Sequence, residues 1–101
     1  MSVSVAANGN VACIILSGGI DYATQDEFKK ANKQALSMEG ITEIHVDFSN
    51  ANFLDSAGIR SLLILHKEAN ETGKSLFLLN CNDNMHDIFE IGGFDKVFKF
   101  K

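Results

Sequence analysis

Six consecutive apolar residues, Val11 to Leu16, constrain the fold more than any other stretch of the chain. The run is far too short to cross a bilayer, and it is apolar on both strand faces, so it predicts a strand in the interior of a sheet. Ahead of it, Ser2-Val3-Ser4-Val5 alternates polar and apolar residues, and Asn8-Gly9 supplies turn chemistry. The chain is therefore expected to open with a hairpin around an Asn-Gly turn, its first strand towards a sheet edge.

After the loop Ser17-Gly18-Gly19-Ile20-Asp21, the spacing of Thr24 and Glu27 is that of a capping box, with Asp21 as a competing cap. Phe28, Ala31, Ala35 and Leu36 recur at helical spacing, Lys29, Lys30, Lys33 and Glu39 occupy the rest of the circumference, and Gly40 supplies a stop. Ile44 to Phe48 alternates with period two and reads as the third strand. The helix that follows Gly58 places Ile59, Leu62, Leu63, His66 and Ala69 on one face and closes near Thr72-Gly73. Ile64 falls opposite, among Arg60, Lys67, Glu68 and Glu71; packing on a neighbouring helix is the reading adopted, exposure to a partner the alternative. Ser75 to Leu79 reads as a buried strand, Asn82 or Asp83 caps a short helix carrying Met85, Ile88 and Phe89 inward, and Val97 to Phe100 forms a last edge strand. The order β-β-α-β-α-β-α-β predicts an α/β fold: a mixed sheet with right-handed crossover helices. With 101 residues, no proline and no repeat or low-complexity stretch, residues 1–101 are expected to form a single domain.

A net charge of −4 with scattered Lys and Arg leaves no basic footprint for nucleic acid. Without a signal pattern or a long apolar run, the chain is expected to be cytoplasmic, with no direct membrane insertion. Cys13 and Cys81 lack metal-site spacing and read as reduced core thiols. His45, His66 and His86 read as structural polar residues without acid–base partners. Gly18-Gly19 has neither a phosphate-loop sequel nor dinucleotide glycine spacing, and Ser56 is outside any nucleophile-elbow sequence. No catalytic residue, cofactor or metal is expected, and no enzyme activity.

Function is expected where the third strand hands over to the second long helix, at Asn52-Phe53-Leu54-Asp55-Ser56-Ala57-Gly58-Ile59. Asp55 and Ser56 are both good N-cap residues, and Gly58 is expected to leave the first turn unshielded. Such a helix start suits an anion, a phosphoryl group or a partner's side chain. For Ser56, a capping role is favoured over that of phosphoryl acceptor.

These residues carry a resemblance. Gly18-Gly19-Ile20-Asp21, Asp47-Phe48-Ser49, Phe53-Leu54-Asp55-Ser56-Ala57-Gly58-Ile59 and Phe89-Glu90-Ile91-Gly92-Gly93-Phe94 together resemble a STAS domain, the fold of bacterial anti-sigma factor antagonists. The resemblance implies partner switching: the antagonist binds an anti-sigma factor or related serine kinase, phosphorylation breaks the complex, and a phosphatase resets it. In the family pattern Asp-Ser-Ser/Thr-Gly the acceptor precedes the glycine. Ala57 stands at that position here, and Ser56 matches the first serine and is the phosphorylation candidate. The implied docking surface is Asp55, Ser56, Ala57 and Gly58 with Arg60, Ser61 and Ile64, and Asp21 on the same rim. The departure at Ala57 fits one alternative, a constitutive accessory subunit of a membrane lipid transporter; a further alternative is a nucleotide or small-molecule sensor using the loops at Gly18-Gly19 and Gly58.

Overall fold

A computed structural model describes residues 2–21, 24–51 and 53–101. Strands β1 (Ser2–Asn8) and β2 (Val11–Ser17) form the expected hairpin. There follow α1 (Gln25–Ser37), β3 (Glu43–Asn50), α2 (Ser56–Glu71), β4 (Ser75–Leu79), α3 (Asp83–Ile91), a 3-10 turn over Phe94–Lys96, and β5 (Lys99–Phe100). The five strands lie side by side in chain order, β1 antiparallel to β2 and every later pair parallel. Because each right-handed crossover steps the same way, the three helices share one face of the sheet. The fold class, the hairpin, the interior place of β2 and the two edge strands agree with the sequence reading.

The hairpin turn is displaced by one residue from Asn8-Gly9. Asn8 pairs with Val11, so Gly9 and Asn10 are the two loop residues, and Gly9 takes φ +62° at the first central position. A glycine is needed there because a side chain rarely tolerates that conformation.

The pleat sorts the strand residues cleanly. Ala12, Ile44 and Leu76 are in register across three strands, as are Ile14, Val46 and Leu78, and all six are buried beneath the helices. Helix α1 sets Phe28, Ala31 and Ala35 on them, α2 Leu62, Leu65 and Ala69, and α3 Met85 and Phe89. Phe89 meets Phe48 and Phe98 at centroid distances of 6.2 and 5.6 Å, fastening α3 to the sheet. The other face carries the row Cys13, His45, Phe77 and Lys99 and is only half covered, so β2 is buried on one side and not on both.

His45 does have partners, against expectation: its Nε2 is 3.0 Å from Glu43 Oε1, and its ring meets Phe77 edge-on. Lys101 completes the group, donating to Glu43 Oε1 at 3.3 Å and lying over Phe77. These contacts, the His45 bond first, hold the Glu43 carboxyl below its usual range.

Two helix readings need correction. Thr24 precedes α1 but closes no capping box, because its hydroxyl is committed to Asp21: it accepts from the Asp21 N–H and donates to Asp21 Oδ1, each at 3.0 Å. In α2 the buried stripe is Gly58, Ser61, Leu62, Leu65 and Ala69. The expected face was rotated: Ile59, Leu63 and His66 lie on the margin, and Leu65 is fully inside. Gly58 and Ser61 give no hydrophobic signal, so periodicity alone settled on the neighbouring stripe.

Candidate functional site at the start of the second long helix

Beyond their regular pairing, β2 and β3 continue side by side into the site. Gly18 N–H donates to Asn50 O at 2.9 Å and Ile20 N–H to Phe53 O at 3.0 Å, and Ile20 and Leu54 form an isolated parallel bridge. Asp55 N–H then donates to Ile20 O at 3.1 Å. The two loops therefore leave the sheet in register, and Asp21 and Asp55 follow directly on the bridged pair. Asn52, first residue of the stretch singled out in the sequence, lies outside the described residues.

Asp55, not Ser56, caps α2. Its backbone is extended, and its Oδ1 accepts from Gly58 N–H at 3.0 Å while Ile59 N–H bonds its carbonyl at 2.9 Å. A carboxylate suits that end of the helix. It also answers the helix dipole with a charge of its own, which disfavours a second anion. Ser56 is the first helical residue; it is exposed, and its hydroxyl has no hydrogen bond among the described residues. The capping role expected of Ser56 is thus taken by its neighbour, and the hydroxyl faces solvent.

Gly58 is buried rather than unshielded. A Cβ at this position would come within 2.4 Å of Leu54 Cδ1 and 3.1 Å of Ile20 Cγ2, so the missing side chain lets α2 settle on the bridged loops. At Gly19 a Cβ would meet Phe53 at 3.1 Å, which places the Phe53 ring over that glycine. Both glycine loops left open for a nucleotide are therefore occupied by the protein's own side chains.

The residues expected at the docking surface divide. Asp21, Ser56 and Arg60 are exposed, Asp55 and Ala57 half-buried, and Ile64 is 44 % exposed, not packed away against a neighbouring helix. Gly58 and Ser61 are inside; Ser61, 2 % exposed, faces the interval between α1 and α2 and is not part of an accessible rim. Phe53, 47 % exposed, was absent from the expected surface and stands in solvent two residues ahead of the cap. An apolar residue in a loop two places ahead of a cap was the available signal.

Below this rim, at the same end of β3, Asp47 sits between polar donors. Burial raises its carboxyl, but hydrogen bonds from Asn80 Nδ2 at 3.0 Å and Ser49 N–H at 2.9 Å outweigh that and leave it below its ordinary value. Cys13 and Cys81 are free, and burial together with the Asp47 charge raises both thiols, Cys81 to about 11. Neither is activated as a nucleophile. Among the described residues no group of three potential ligands is placed to hold a metal, and no helix is long and apolar enough to cross a membrane.

An α/β sheet in chain order, with a capped helix start at the mouth of its central strands, has close structural counterparts. An anti-sigma factor antagonist from Mycobacterium paratuberculosis superposes with a TM-score of 0.86 at 19 % identity, covering 98 % of this chain and 83 % of that one. A sulfate transporter family protein from Wolinella succinogenes gives 0.79 at 15 % identity, covering 94 % and 80 %. The chain belongs to the STAS domain family, whose model matches residues 2–101. It is similar to a STAS-domain containing protein of Pseudomonas aeruginosa strain UCBPP-PA14, 29 % identical over 93 % of this chain and 91 % of the relative. It also resembles the anti-sigma F factor antagonist of Paenibacillus polymyxa, 23 % identical over 96 % and 83 %.

Proposed function

We propose that this protein is a single-domain, cytoplasmic, non-catalytic anti-sigma factor antagonist whose rim docks on an anti-sigma factor or related serine kinase. The observation that carries the reading is the exposed series Phe53, Ser56, Arg60 and Ile64, held in one orientation by the Asp55 cap in a chain of this family. Two apolar side chains flank a serine and a guanidinium, the mixture from which interface anchors are built. Asp21 and Asp55 contribute negative charge and Arg60 positive charge, so the matching partner surface carries both signs. Ser56 is the phosphoryl acceptor in this reading, since its hydroxyl is free of capping, and a phosphatase would restore the binding form.

The test is calorimetric titration of the protein into candidate anti-sigma factor kinases from its own genome, with Arg60→Glu and Ile64→Asp as variants of two exposed positions. Weakened binding with unchanged thermal unfolding supports the surface, and unaffected binding refutes it. Gly58→Arg is unsuitable because it strikes the packing of α2. Intact-mass measurement after incubation with kinase and ATP, comparing Ser56→Ala, tests the acceptor separately.

A second reading is favoured by Ala57, which removes the hydroxyl at the family's acceptor position: a constitutive STAS subunit of a membrane lipid transporter. Copurification with a transporter ATPase, with no phosphorylation at Ser56, would select it.

A further inference from the structure

Ile91, the last residue of α3, is 88 % exposed, more than any other large apolar side chain among the described residues. A single exposed isoleucine is ordinary, but this one does not stand alone. Asp87 lies one turn before it on the same helix face, and Asp87, Glu90 and Ile91 border one shallow depression. The result is an apolar knob flanked by two carboxylates. The opposite relief occurs between α1 and α2, where Leu36, Ile64 and Leu65 line a groove of about 220 Å³. Lys29 and Lys33 border it, with Glu68 the one carboxylate among its described lining residues. Neither these two lysines nor the two carboxylates of the knob have an ion-pair partner among the described residues. The buried oxygens of Asn32 and Ser61 beneath the groove take no part.

We propose that the groove receives Ile91 of a second copy of this chain. The isoleucine leaves water against Leu36, Ile64 and Leu65, while Asp87 and Glu90 of that copy meet Lys29 and Lys33. Charge complementarity selects this occupant: a groove edged by two ammonium groups fits an apolar side chain set between carboxylates, the pattern that the end of α3 presents. The volume, below that of drug-sized pockets, suits a single side chain. Knob and groove are different surfaces of one chain, so the contact is heterologous; each copy that fills a groove offers its own groove to the next, and assembly closes into a ring or grows as an open chain. A contact this small is weak and transient. It covers Ile64, which the docking surface also uses, but it needs no partner protein and does not rest on that reading.

The experiment is sedimentation velocity of the full chain alone, from about 10 µM to about 1 mM, the range in which a small transient contact is populated. The sedimentation coefficient should rise with concentration without levelling at a dimer, and about 0.5 M salt should weaken the association severalfold. Ile91→Gln should weaken it about tenfold without moving the melting temperature, because the side chain removed already lies in solvent. Lys29→Glu with Lys33→Glu, and separately Asp87→Lys with Glu90→Lys, should each leave a monomer, and an equimolar mixture of the two double variants should associate again. The proposal is overturned if the wild-type chain stays monomeric throughout the range, or if the mixture does not associate. Association that survives Ile91→Gln unchanged also overturns it and assigns the contact elsewhere, the uncharged edge of β1 included.

Discussion

Replacing Gly58 by alanine sets two known effects against each other, and the sign of the result decides why the glycine is there. Alanine in a helix is favoured over glycine by about 0.8–1.0 kcal/mol. If Gly58 served only to keep the helix start open, Gly58→Ala would therefore stabilise the protein. The new Cβ, however, lies 2.4 Å from Leu54 Cδ1 and within 3.2 Å of the Ile20 carbonyl oxygen. Leu54 and Ile20 are 3 % and 0 % exposed, so neither has free space to retreat into. Overpacking of this kind costs about 1–3 kcal/mol. The net expectation is a loss of about 0–2 kcal/mol, and for a chain of this size each kcal/mol lowers the melting temperature by about 4–8 °C. Urea and thermal denaturation of Gly58→Ala, Leu54→Ala and the double variant supply the measurement. In the Leu54→Ala background the offending methyl is gone, so Gly58→Ala should become neutral or stabilising, a coupling of about 1–2 kcal/mol. A higher melting temperature for the single variant, or strict additivity in the double, would refute the packing argument.

The other expectations concern the cap, the two titrating regions and the rim. Asp55→Ala should cost about 1 kcal/mol by loss of the cap, whereas Ser56→Ala should stay within about 0.5 kcal/mol; urea denaturation of the pair distinguishes the two cap assignments. The Asp47 carboxyl, raised by burial but lowered more by Asn80 and Ser49, titrates below its unfolded value. Its contribution to stability is therefore complete above the unfolded pKa and lost as pH falls through the folded one, and Asn80→Ala should flatten that acid limb. Cys81 behaves oppositely: its thiol ordinarily ionises near 9.0 but is pushed to about 11 by burial and Asp47, so stability present below pH 9 is lost as pH rises towards 11. Discounted for partial exposure, the loss is about 1–2 kcal/mol, and it should be absent from the same pH series on Cys81→Ala. On the proposed docking reading, Arg60→Glu and Ile64→Asp should each weaken binding to the anti-sigma factor or kinase about tenfold or more in calorimetry without moving the melting temperature by more than 2–3 °C, about 0.5 kcal/mol.

Element order was legible because its signals are local. Alternation across Ile44, Val46 and Phe48, with His45 and Asp47 between them, could face only one way once one side was buried. The cap Asn82, whose side chain accepts from Met85 N–H, was likewise one of two marked candidates. What could not be read were choices between near-equal neighbours. Asp55 and Ser56 have similar capping propensity, and the extended backbone that selects Asp55 is imposed by the bridge between Ile20 and Leu54, thirty-four residues apart. Thr24 could have closed a capping box with Glu27 but found Asp21 first. The final strand shrank to Lys99–Phe100 because Phe94–Lys96 turned into a 3-10 helix after Gly93, which takes φ +77°. The buried stripe of α2 was misplaced because its defining residue, Gly58, is recognised by the side chains that fill the space it leaves.

The one-residue difference between Ser56 and Ala57 has geometric weight. Successive residues on an α-helix point about 100° apart, so a phosphoryl group on Ser56 would leave the helix in a different direction from one at position 57. It would also stand beside the Asp55 carboxylate that already caps the helix at 3.0 Å from Gly58 N. Attraction to the helix start would be offset by repulsion from that carboxylate, so little of the added charge of about −1.5 to −2 would be spent on reorganising the fold. Its effect would fall on whatever faces the exposed end of the rim, next to Phe53 and Arg60, both of which lie in solvent. In the proposed reading, a phosphoryl group on exposed Ser56 would therefore act on docking and leave the domain unaltered, with Ala57 half-buried behind it.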